Sequence, residues 1–145
     1  MIYTPLTRKA MSLAYAAHHG QTESDGVPYV FHPLHLAEQM RSETTTVVAL
    51  LHDVIENTPY TLQDLRREGF PDRVVEAVAL LTHDPAMPYA DYVARLASNP
   101  DARAVKLADL AHNMDVTRLP CVTERDAQRM ERYRAALVYL RAMET

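Results

Sequence analysis

The chain holds only three glycines in 145 residues, against an average usage of about 7% in globular proteins. Sandwiches, barrels and Rossmann-type units turn tightly many times, so scarce glycine directs the chain toward helices. Apolar residues make up 48% and charged residues 23%, which suffices for one packed core and excludes wholesale disorder. The length fits a single domain, and residues 1–145 are read as one unit. A lone cysteine, Cys121, excludes a disulfide framework and any cysteine-based zinc cluster. The net charge of −4 argues against a general nucleic-acid surface. No apolar run approaches the roughly 20 residues of a membrane span, and the start MIYTPLTRKA lacks a signal-peptide profile. A cytoplasmic protein without nucleic-acid or membrane partners is expected.

Apolar residues recur at three-to-four spacing along most of the chain, punctuated by proline and capping residues. Leu6, Ala10, Leu13, Ala14 and Ala17 mark a helix entered at Pro5. Pro33 suits a first helical position, which puts His32 near the N-cap of a second helix running to about Arg41. The stretch Thr44 to Asn57 reads as one helix, apolar nearly all round over Val47 to Leu51 and therefore buried. Thr61 with Asp64 forms a capping-box start and Gly69 a stop. Further helices are expected from Pro71, over Tyr89 to Leu96, over Ala102 to Asp115, and from Thr123 to Met143. The expected fold is all-α, a compact single-domain helical bundle.

Polar residues that interrupt this pattern carry the chemistry. His52 and Asp53 lie within the apolar run ALLHDVIEN, where burying them is costly unless they are paired or bound to a cation. Glu56 follows four and three residues later, so helical spacing gathers all three on one side. Imidazole nitrogen with carboxylate oxygen is a donor set suited to divalent metals. His32 enters a helix from the aromatic segment PYVFHP, and Asp109 interrupts another apolar face in VKLADLAHNMD. Each residue alone reads as an ordinary surface or capping group. The ordered set His32, His52-Asp53 and Asp109 in apolar helical contexts is much harder to produce by chance. The arginines of the last helix, Arg129, Arg132, Arg134 and Arg141, read as a solvated face, and His35 and His112 as neighbours of the site rather than ligands.

The set H…HD…D resembles the HD superfamily of metal-dependent phosphohydrolases. AHHGQ (17–21), GVPYVFHP (26–33), ALLHDVIENT (49–58) and VKLADLAHNM (105–114) together resemble the hydrolase domain of the Rel/Spo alarmone enzymes. In size the chain is similar to the single-domain small alarmone hydrolases. The resemblance spans about residues 5 to 143 and leaves no room for a synthetase domain. It implies His32, His52, Asp53 and Asp109 as ligands of a divalent metal, typically Mn²⁺. It implies Glu56 and Asn57 as the pair that orients and activates water, with Asn113, Lys106 and His18 toward the substrate. The implied reaction is hydrolysis of the 3′-pyrophosphate of (p)ppGpp, giving GDP or GTP and pyrophosphate.

The chain departs from that family at three places. Asn57 stands where an aspartate is usual, and an amide cannot take a proton. The segment Thr22-Glu23-Ser24-Asp25 is acidic where basic residues are common, and Leu110-Ala111 replaces a usual arginine-leucine pair. Two alternatives therefore stay open: an HD phosphohydrolase acting on another nucleotide such as ppApp, NADPH or a deoxynucleoside monophosphate, and a weakly active binding or regulatory module.

Overall fold

A computed structural model describes residues 1–144. Helix α1 (Pro5–Ala17) starts at a capping box, in which the Thr4 hydroxyl accepts from the Thr7 N–H and Thr7 returns the bond, with Pro5 at the first helical position. A turn-rich connection follows, held by a single antiparallel bridge between Thr22 and Pro28. Helix α2 (Phe31–Glu38) begins two residues earlier than the Pro33 rule suggests, with Val30 as its N-cap. Pro33 then falls in the first turn, where the missing N–H has no intrahelical partner to lose. His32 is therefore inside the helix and faces the core.

The stretch expected as one helix from Thr44 to Asn57 is two: α3 (Glu43–Leu51) and α4 (Val54–Asn57). The break falls on His52 and Asp53 and has a local cause. A continuous helix would give the Ala49 carbonyl to the N–H of Asp53. His52 Nδ1 takes that carbonyl instead, at 2.7 Å. Asp53, at φ −106° and ψ 2°, leaves the helical region and serves as N-cap of α4. The remaining helices are α5 (Leu62–Arg67), α6 (Asp72–Leu81), α7 (Tyr89–Ala97), α8 (Pro100–Asn113) and α9 (Glu124–Ala142). Gly69, at φ +91°, closes α5 in the left-handed region.

Helix α3 sits at the centre, with Thr46 through Leu51 all buried and α1, α2, α6 and α8 packed around it. Its all-round apolar surface is matched by neighbours on every side, as the sequence requires. Helices α7 and α9 pack on α8 and on each other. No helix among the described residues is long and apolar enough to cross a membrane. The architecture is all-α, and it brings the buried ends of α2, α3 and α8 together.

Candidate metal centre

His32, His52 and Asp109 offer one ligand atom each, all within 4.8 Å of one another, and all three residues are buried. They come from α2, the end of α3 and α8. His32 Nε2 lies 2.9 Å from Asp109 Oδ1. His52 Nε2 lies 3.1 Å from Asp53 Oδ2 and 3.8 Å from Asp109 Oδ1. Asp53, less deeply buried, completes the set expected from sequence.

The orientation of each group is fixed from behind. The Ala49 carbonyl can only accept, so His52 Nδ1 carries hydrogen and Nε2 is the atom turned to the carboxylates. That Nε2 is buried and has no hydrogen-bond partner. A buried nitrogen 3.1 Å from one carboxylate and 3.8 Å from another is a position that a proton or a divalent cation satisfies, and two imidazoles with two carboxylates are a donor set for the cation. His32 Nδ1 is 2.7 Å from His112 Nδ1, so one ring donates to the other and the ring of His32 is held edge-on to Asp109. Asp109 Oδ1 accepts from the Asn113 amide at 2.9 Å and Oδ2 from Lys106 Nζ at 3.0 Å. Tyr29 donates its hydroxyl to Asp53 Oδ2.

These contacts set the charge states. Burial disfavours a charged His52 ring, but the adjacent Asp53 carboxylate outweighs it and pushes the imidazole up to about 9. Burial likewise works against the Asp109 carboxylate, and Lys106 and His32 overcome it, holding the carboxyl well below its ordinary range. Glu56 goes the other way: partial burial raises its carboxyl above 4.5, despite the N–H of His83 that donates to Oε1 at 2.7 Å.

A cavity of about 310 Å³ opens onto the cluster. His32, His52, Asp53, Glu56, Lys106, Asp109 and Asn113 all line it, so seven of the nine residues singled out from sequence converge. Two do not. Asn57 follows Glu56 on α4, where consecutive side chains diverge by about 100°. Glu56 lines the cavity, while Asn57 does not and engages through its backbone: its N–H donates to the Asp53 carbonyl at 3.0 Å and its carbonyl accepts from Gln21 Nε2 at 3.0 Å. His18, 1% exposed, packs against Tyr29 and lines a separate apolar groove. Tyr29 occupies the cavity wall in its place.

The cavity wall also includes residues that no motif singles out as part of the site. Tyr29, His83, Tyr89, Tyr92 and Arg132 all line it. The signal for Arg132 was present: it lies four and eight residues before Ala136 and Leu140, the buried stripe of α9. The acidic segment has a partner too, because Glu23 pairs with Arg118.

No protein-family model matches the chain. It is 38% identical over 122 residues to the bifunctional (p)ppGpp synthase/hydrolase SpoT of Escherichia coli K12, covering 74% of this chain and 17% of that protein. It is 39% identical over 116 residues to the guanosine-3′,5′-bis(diphosphate) 3′-pyrophosphohydrolase of Haemophilus influenzae, covering 70% and 17%. In three dimensions it is similar to the solved structure described as a metazoan orthologue of SpoT that hydrolyses ppGpp and plays a role in starvation responses. The TM-score is 0.76 at 21% identity, over 97% of this chain and 87% of that one. In sequence and in fold, this is a Rel/Spo-like domain. The Rel/Spo-like domain spans less than a fifth of the length of the curated relatives it matches.

Proposed function

We propose that this Rel/Spo-like domain is a divalent-metal-dependent hydrolase of the 3′-pyrophosphate of guanosine alarmones, acting on a soluble nucleotide in the cytoplasm. The observation that carries the reading is the unpartnered Nε2 of His52, buried between Asp53 and Asp109 at the floor of a polar cavity. His32, His52, Asp53 and Asp109 would hold the cation, and Mn²⁺ suits their mixed nitrogen and oxygen donors. When bound, such a cation lowers the pKa of water and neutralises charge building on a phosphate.

Glu56 is the base. Its carboxyl is raised toward neutrality by burial, and the His83 N–H fixes Oε1, leaving Oε2 to take the proton of the attacking water. The water oxygen bonds to the phosphorus attached at O3′, the P–O3′ bond breaks, and O3′ leaves as a hydroxyl by taking up the proton that Glu56 removed from the water. The products are pyrophosphate and GDP or GTP. Lys106 and Tyr29 hold the two carboxylates in place, and Asn113 fixes Asp109 while bordering the space for the nucleotide.

A second reading, hydrolysis of a different nucleotide by the same centre, has one observation in its favour. Glu23 neutralises Arg118, so the 22–25 segment presents no free cation to a polyphosphate. Incubating the Mn²⁺-loaded protein with ppGpp, ppApp, NADPH and deoxynucleoside monophosphates separates the two. Release of pyrophosphate from ppGpp supports the first reading, and turnover of another nucleotide alone replaces it with the second. Metal binding without turnover of any of them sinks both and leaves a binding module.

A further inference from the structure

The cavity has a second polar wall that the water-activating chemistry leaves unused. Tyr89 opens α7, and two cations face its ring: Lys106 Nζ at 5.8 Å from the centroid and the Arg132 guanidinium at 5.0 Å. Lys106 is committed, since Nζ donates to Asp109 Oδ2 at 3.0 Å. Arg132 is not. Its side chain is exposed at the cavity mouth, among the described residues no carboxylate lies within ion-pair distance of it, and one turn away Arg129 is already paired with Asp126. The Tyr89 hydroxyl is buried on the same wall without a hydrogen-bond partner. The cavity's own carboxylates are engaged elsewhere: Glu56 with the His83 N–H, Asp53 with Tyr29, and Asp109 with Lys106 and Asn113. One unpaired guanidinium at the mouth and one buried, unsatisfied hydroxyl thus border a cavity whose carboxylates are all engaged.

We propose that Arg132 and Tyr89 form an anion subsite that binds a phosphate group of the substrate other than the one attacked. This rests on the reading of the cavity as a nucleotide hydrolase site. The Tyr89 ring supports the guanidinium by cation–π contact and leaves its planar fork of N–H groups for phosphate oxygens. The Tyr89 hydroxyl, released from an unsatisfied burial, supplies a further bond. Lys106 adds positive field from behind the ring without leaving Asp109. The subsite selects nucleotides phosphorylated at more than one position. Its phosphate comes either from the far end of the scissile pyrophosphate or from the nucleoside 5′ chain.

Titrating the Mn²⁺-loaded protein with inorganic pyrophosphate and with GDP tests the subsite without requiring turnover. Arg132→Gln is expected to weaken at least one probe by about tenfold, the scale of a lost charge-assisted bond pair, while Mn²⁺ affinity stays at the wild-type value. Arg132→Lys should recover part of the loss, and Tyr89→Phe should weaken the same probe about threefold. A loss confined to pyrophosphate assigns the subsite to the far phosphate of the 3′-pyrophosphate, and one confined to GDP assigns it to the 5′ chain. Wild-type affinity of Arg132→Gln for both probes overturns the subsite, as does failure of both probes to bind the wild type. If ppGpp proves not to be hydrolysed while the probe affinities still fall, the subsite stands and the alarmone reading does not.

Discussion

His52 shows how one side chain can decide both a backbone path and a chemical role. Its Nδ1 takes the Ala49 carbonyl, which ends α3, and the same bond turns Nε2 toward two carboxylates. Replacing Asp53 with alanine is expected to abolish metal binding at this site, read as metal content after dialysis; an unchanged content would refute the ligand assignment. Glu56→Gln should keep the metal and lose turnover by about 10²–10⁴-fold, the range of a removed general base. Because burial raises the Glu56 carboxyl, its base form is lost at a higher pH than for an ordinary glutamate. The rate should therefore fall on acidification through a pKa above 4.5, seen in a pH–rate profile at saturating metal. Asn57→Asp, which restores the usual acid, is expected to change the rate less than twofold, because that side chain points away from the cavity. The ligands were legible in sequence because polar residues in apolar helices are costly and few. His83 and Tyr89 were not, since their roles arise from a backbone N–H and from a ring placed by packing between distant helices.

At the level of elements, the helices follow their caps. Thr4, Thr61 and Thr123 each start a helix with a reciprocal capping box, and Gly69 ends one in the left-handed region. Thr123→Ala should destabilise the protein by about 1 kcal/mol, measured by urea denaturation with an unchanged slope. The α3/α4 break was not legible from periodicity. Apolar spacing continues across His52-Asp53 as if the helix did, and the interruption comes from a side chain competing with the backbone for one carbonyl. The same limit applies at α9. Its arginines look alike in sequence and both Arg132 and Arg134 are exposed, yet packing of α9 on α8 and α7 sets Arg132 at the cavity and leaves Arg134 off it.

For the whole molecule, scarce glycine and abundant apolar spacing were enough to specify an all-α architecture, because each feature constrains every segment alike. What they could not specify is where the helices meet. The meeting point of α2, α3 and α8 concentrates two buried carboxylate-facing imidazoles at one place, a costly arrangement in the absence of a cation. Metal binding should therefore stabilise the fold. Mn²⁺ at about 100 times its dissociation constant is expected to add about 2.7 kcal/mol, seen as a rise in melting temperature that a chelator reverses. An Asp53→Ala variant should show no such rise.

The most direct measurement is the yield of pyrophosphate and GDP from ppGpp incubated with the protein and Mn²⁺, followed before and after chelation. The two products are expected in equal amounts, with release stopped by the chelator and restored by adding Mn²⁺ back. Metal bound at the His32, His52, Asp53 and Asp109 cluster with ppGpp recovered intact would contradict the hydrolase reading.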